Sequence, residues 1–252
     1  MMLSYDEAGN GPAVILLHST VCDRRMWDPQ LPALADAGYR VIRCDLRGFG
    51  ETPMPDRAYN NAQDVVDLLD ALGVDRVALV GSSGGGRVAL EVAARWPQRV
   101  TSLALLCTAV AGHEPSARLA AFGEREDELL EAGDAAGATE LNVEVWVLPS
   151  VDDGVRERVR QMQRHAFEVQ LAATEEYAPI RVEYDVADIT APTLVVSGGL
   201  DFPDFSAIAA QLAERIPDAR RVDLDWAGHL PSMERPDEIN ALLVDFLAKA
   251  SR

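Results

Sequence analysis

Short apolar, β-branched runs alternate with segments of helical period along most of this chain, and that alternation constrains the fold more than any other feature. It predicts an α/β architecture: a mostly parallel sheet flanked by helices. The expected strands are Ala13–Leu17, Arg40–Cys44, Val77–Val80, Leu103–Cys107, Thr193–Ser197 and Arg221–Asp225. Between them, Val65, Leu68, Leu69 and Leu72 share a helical face that Gly73 ends. Ile208, Leu212 and Ile216 do the same before Pro217, and Ile239, Leu242, Leu243, Phe246 and Leu247 mark a last helix opened by Pro236 and Asp237.

One stretch breaks the rhythm. From about Ala111 to Ile189 no strand pattern is present, but Leu119, Phe122, Leu129 and Leu130 form one helical stripe and Val155, Val159, Met162, Ala166 and Val169 another. Helices between two strands of a parallel sheet are most simply an insertion, and insertions at the strands' carboxyl ends lie over the ligand crevice. The expectation is a core of residues 1–110 and 190–252 with a helical cap over 111–189, which suits a length of 252 residues.

Composition narrows the function. A net charge of −18 disfavours nucleic acid and anionic lipid, which need clustered Lys and Arg. No apolar run reaches membrane-span length, and Met1–Tyr5 lacks the features of a signal peptide. Cys22, Cys44 and Cys107 fit neither a zinc pattern nor a disulfide framework; Cys44 and Cys107, in strand-like runs, read as small buried hydrophobes, and a reducing cytoplasm is expected.

The chemistry is announced at Gly81-Ser82-Ser83-Gly84-Gly85. This G-x-S-x-G run directly follows the strand through Val80 and opens a helix carrying Val88, Val92 and Ala93, the strand–turn–helix setting of a nucleophile elbow. Ser83 has glycine two residues before and after it, whereas Ser82 would place Val80 where the chain must be small. A phosphate-binding turn would want a Lys followed by Ser or Thr, and Arg87-Val88 stands there instead.

A serine needs a base, and of the four histidines His229 lies in the loop between the last strand and the last helix. His18 ends the first strand and fits the oxyanion region; His113 and His165 read as surface positions. Asp201, in the turn after Thr193–Ser197, is favoured to orient the imidazole over Asp204, read as a helix cap, and Asp225, read as a strand residue. The order Ser83, Asp201, His229 follows that of α/β-hydrolase triads. The oxyanion donors are expected to be Gly84 N–H and, from His18–Cys22, Thr20 N–H. Trp27, Phe49, Trp146 and Leu230 are candidates for an apolar pocket, and Trp146 could equally fasten the cap to itself.

Together with Asp45–Gly50 (Asp-Leu-Arg-Gly-Phe-Gly), Gly198–Asp201 and Ala227–Leu230, these elements resemble the α/β-hydrolase superfamily over the whole chain outside the insertion. Leu17–Gln30 resembles the corresponding segment of bacterial β-ketoadipate enol-lactone hydrolases and related small esterases. The resemblance implies a Ser–His–Asp mechanism with no metal or cofactor, and a cap inserted after the sixth strand in the family's numbering. Ser19 stands where the family usually has glycine. Ser83 argues against the branches that use an aspartate nucleophile. The expected activity is hydrolysis of a small ester or lactone; the alternatives are C–C bond hydrolysis, cofactor-free perhydrolysis, or a ligand sensor retaining the fold.

Overall fold

The computed structural model describes residues 2–174 and 177–250. One sheet holds β1 (Tyr5–Ala8), β2 (Ala13–Leu17), β3 (Arg40–Cys44), β4 (Val77–Ser82), β5 (Val100–Leu106), β6 (Thr193–Gly198) and β7 (Ala219–Leu224), in the order β1-β3-β2-β4-β5-β6-β7. All neighbours run parallel except β1, which is antiparallel to β3. Every residue of β4 and β6 is buried, as expected where helices cover both faces of a parallel sheet.

β1 was not expected, because Tyr-Asp-Glu-Ala carries no apolar run. Its pairing is carried instead by charge across the edge: Asp6 lies opposite Arg43 and binds it, and Glu7 binds Arg40. Several expected boundaries also move, with β4 running on to Ser82 and β6 to Gly198. β5 starts earlier and stops before Cys107, whose φ of 44° turns the chain out of the sheet. β7 ends at Leu224, so Asp225 is a turn residue and not a strand residue.

The covering helices are α1 (Gln30–Asp36), α2 (Asn61–Ala71) and α3 (Gly84–Arg95), followed by α4 (Ala117–Glu131), α5 (Ala135–Trp146) and α6 (Asp153–Leu171). After β6 come α7 (Pro203–Arg215), α8 (Pro231–Glu234) and α9 (Pro236–Ala250). Helix α2 buries Val65, Leu68 and Leu69 and ends at Gly73, whose φ of +66° only glycine adopts without strain. Helix α9 buries Ile239, Leu243, Phe246 and Leu247.

The insertion between β5 and β6 is helical, with α4, α5 and α6 and no strand among its described residues. It has a small core of its own, where Ala135, Ala138 and Phe167 meet Leu129 and Leu130. Val143, Trp146, Val159 and Met162 join it to the main core. The inner face of α5 includes Thr139 and Asn142, which is why no apolar stripe announces that helix. No described helix is long and apolar enough to cross a membrane.

Candidate active site

The parallel strands end along one edge, and the expected site residues gather there. Ser83 follows β4, His18 and Thr20 follow β2, Asp201 follows β6 and His229 follows β7. Ser83 holds φ 50° and ψ −116°, a strained conformation for a residue with a Cβ. Its backbone is pinned on both sides, since its N–H donates to Leu106 O and its carbonyl accepts from Arg87 N and Ala109 N. The flanking glycines make the turn possible. A Cβ on Gly81 would stand 2.6 Å from Gly86 Cα, and one on Gly85 would stand 2.3 Å from Leu17 O.

His229 Nδ1 and Asp201 Oδ2 lie 2.7 Å apart, both buried. Asp201 Oδ1 accepts from Phe202 N–H, so the carboxylate cannot swing away. Asp204 is not free to rival it and does not cap its own helix. It lies in the first turn of α7, and Oδ1 binds His113 Nε2 and accepts from Ser116 N–H ahead of α4. These bonds hold its carboxyl down at about 2 against the opposing cost of burial. His113 thereby anchors the insertion, where a plain surface residue was expected. No hydrogen bond joins the Ser83 hydroxyl to His229 among the described residues, although both line the same cavity. Such contacts commonly tighten only when substrate binds.

Sequence reasoning missed Glu234. One of its oxygens accepts from Gly228 N–H at 2.7 Å and the other from Leu230 N–H at 3.1 Å, bracketing His229. Burial pushes this carboxyl up, and the two backbone donors work against that shift. The residues from His229 to Glu234 show no helical or strand period that singles Glu234 out, and its role emerges from the fold.

The loop after β2 is braced from below. Leu46 N–H donates to His18 Nε2, so the ring proton sits on Nδ1 and donates to Ser19 O at 2.8 Å. Burial pushes the His18 pKa down, consistent with a neutral strut. Ser19 is fully buried and does not have positive φ, so it occupies the usual glycine position without left-handed strain. A Cβ on Gly84 would meet the Thr20 methyl at 2.5 Å, so the two expected oxyanion residues abut. Neither of their backbone N–H groups has a partner among the described residues. Gln163 of α6 approaches from above. Only one orientation of its amide satisfies its surroundings, and in it Nε2 donates to Thr20 O at 3.1 Å and Val21 O at 3.3 Å.

A cavity of about 190 Å³ opens beside Ser83 and His229. Phe49 and Trp146 line it as expected, but Trp27 and Leu230 do not. Trp27 is turned fully into the core, and Leu230 is buried there although it adjoins His229. Trp146 packs at a tilt against the His229 ring, centroids 4.4 Å apart, and touches Phe122, Phe202 and Phe205, so it both lines the cavity and fastens the insertion to the core. The insertion supplies further walls that the sequence did not disclose, namely Glu126, Asn142, Phe167 and Gln170. A larger cavity of about 380 Å³ lies between Arg24, Glu51 and His165, where ion pairs predominate and no serine, threonine or cysteine is among the described lining residues.

Cys107, Asp201 and His229 are grouped closely enough for a metal ion. The group is already engaged, because Asp201 binds His229 and the Cys107 thiol donates to Gly228 O. Burial also pushes the thiol pKa well up, away from the thiolate a metal requires.

Residues 14–242 match the sequence profile of the Alpha/beta hydrolase family. A protein of Variovorax paradoxus (strain S110), provisionally named carbamate hydrolase RutD, is 33% identical over 100% of this chain and 98% of its own. The 2-hydroxy-6-oxo-6-phenylhexa-2,4-dienoate hydrolase of Comamonas testosteroni is 30% identical over 98% of this chain and 91% of its own. The crystal structure of the enol-lactonase from Burkholderia xenovorans LB400 superposes with a TM-score of 0.80 at 29% identity, covering 98% of this chain and 96% of that one.

Proposed function

Since the chain belongs to the Alpha/beta hydrolase family, we propose that it is a serine hydrolase that cleaves a small carboxylic ester or lactone through an acyl-enzyme. One observation carries the reading: a strained Ser83 elbow and a buried His229–Asp201 pair meet around one cavity at the sheet's carboxyl edge. His229 Nε2 takes the Ser83 proton as the oxygen attacks the carbonyl carbon. Asp201 holds the Nδ1 proton and stabilises the imidazolium that forms. Gly84 and Thr20 N–H groups receive the oxyanion, and being unbonded beforehand they need not break a contact to do so. Collapse expels the alcohol with the proton from His229. Water then attacks the acyl group with His229 again as base, releasing the acid.

Helices α4 to α6 act as a cap over this chemistry, since they supply most of the cavity wall. Phe49 and Trp146 are the apolar part of the substrate pocket. The same triad serves C–C or perhydrolytic chemistry elsewhere; the enol-lactonase likeness supports the acyl-oxygen reading, and the likeness to the dienoate hydrolase keeps C–C cleavage as the second reading. The three buried thiols support a cytoplasmic setting, and the charge of −18 supports a small-molecule substrate and no nucleic-acid or membrane partner.

The test is labelling by a fluorophosphonate, followed by p-nitrophenyl ester turnover. Ser83→Ala should abolish labelling and lower turnover by about 10⁶, the usual scale for a lost triad member. Ser82→Ala should retain most of both. Equal loss from the two substitutions, or labelling at another residue, would refute the assignment.

A further inference from the structure

One corner of the cavity beside Ser83 is polar, and the reaction just described does not use it. Asn142 of α5 is almost completely buried, and its Nδ2 donates to Glu126 Oε1 on α4 and to Ala138 O at 2.9 Å. Glu126 is half-buried, and its second oxygen has no partner among the described residues. Some other covered carboxylates face arginine, as Asp45 faces Arg24 and Asp64 faces Arg47; Asp201 and Asp204 face histidine, and Glu234 has both oxygens taken by backbone N–H groups. Glu126 has no such partner. Its neighbouring cations are turned elsewhere: Arg125 binds Glu128, and Arg118 stacks on Phe202. No Lys or Arg lines the cavity among the described residues.

A carboxylate drawn out of water without a cation is costly unless something arrives to pair with it. Asn142 fixes Glu126 in place by occupying one oxygen and leaves the other available to a ligand. Burial pushes the Glu126 carboxyl up, the bond from Asn142 opposes that push, and Asp127 adds to it. A bound positive charge would relieve both upward effects, whereas a bound carboxylate would worsen them.

We propose that this pocket selects esters whose non-reacting end carries a hydrogen-bond donor, preferably a protonated amine, and that Glu126 positioned by Asn142 makes the selection. The proposal deepens the serine-hydrolase reading and rests on it. A substrate of this class is reached and held by the Glu126 oxygen while its carbonyl meets Ser83. An ester ending in a free carboxylate is excluded by like charge.

Three p-nitrophenyl esters of equal length test this: hexanoate, 6-aminohexanoate and the adipate half-ester, each rate divided by its hydroxide-catalysed rate. In the wild-type protein kcat/KM for the amino ester should exceed that for the adipate half-ester by about tenfold or more, an effect between those of exposed and desolvated charge pairs. The ratio should shrink in 0.5 M salt. In Glu126→Gln, which keeps the amide contact to Asn142, it should fall to within about threefold. A wild-type ratio near one, or a ratio that Glu126→Gln leaves unchanged, overturns the proposal while hexanoate turnover keeps the hydrolase reading intact. Failure of all three esters, with Ser83 unlabelled by a fluorophosphonate, overturns the reading and the proposal together.

Discussion

Among the described residues of the insertion, Gln163 alone hydrogen-bonds to the loop expected to bear an oxyanion donor, so its removal should impair catalysis through that loop. Its amide donates to the carbonyls of Thr20 and Val21, and Gln163→Leu leaves both without a donor. Two neutral hydrogen bonds contribute about 1 kcal/mol each, so the loop loses about 2 kcal/mol of restraint. If all of that restraint serves to hold Thr20 N–H on the oxyanion, turnover falls about 30-fold. Outright loss of an oxyanion donor costs about 10² to 10³, which sets a ceiling. The assay is kcat and KM on a p-nitrophenyl ester, alongside the rate of phosphonate labelling and the melting temperature. The expected result is a fall in kcat and in labelling rate with little change in KM. A normal kcat beside a lowered melting temperature would refute the reasoning and leave Gln163 as a structural tie.

Three further outcomes follow from the contacts described. Trp146→Ala should empty the space between Phe122, Phe205 and His229, costing about 3–5 kcal/mol of stability. Short and long esters should then slow together, whereas Trp146→Phe should restore the short one and shift the chain-length preference; restoration of neither would argue against a wall role. Asp204 is held at about 2, below the ordinary 3.8, so its contribution is fully present above about pH 4 and is lost as pH falls through 2. Asp204→Asn should therefore cost at most about 2 kcal/mol at pH 7, with the gap closing in acid, as urea midpoints would record; a pH-independent gap would exclude this cause. Glu234→Ala frees Gly228 and Leu230 N–H, and kcat should fall by about tenfold or more as His229 loses its alignment; unchanged kcat would show that the loop holds without it.

The sheet was legible because most of its inner strands are apolar runs, and the tight turn at Ser83 because the glycines around it leave the chain little choice. The gathering of Ser83, Asp201 and His229 at one sheet edge was legible for a related reason, since each follows an expected strand. Strand β1 was not legible, because two carboxylates that pair across an edge look like loop residues. Trp27 and Leu230 were misplaced because an apolar side chain near the site reads the same whether it faces the cavity or the core. Glu126, Asn142, Gln163 and Glu234 were invisible for a different reason. Each is polar in a helix and acts through a partner in another segment, such as Thr20 for Gln163, or through the backbone of a neighbouring loop, as Glu234 does, so no apolar pattern marks it.

The origin of the cavity walls has an evolutionary consequence. The reacting groups come from turns that the sheet fixes, while Phe122, Glu126, Asn142, Trp146 and Phe167 all come from one uninterrupted stretch of chain. Substitution within that stretch could retune what the enzyme accepts and leave the bond-breaking apparatus as it was. Two positions resist such drift: Trp146, which leans on His229, and Gln163, which grips the loop at Thr20. A descendant with a new substrate would be expected to vary around these two and to keep them.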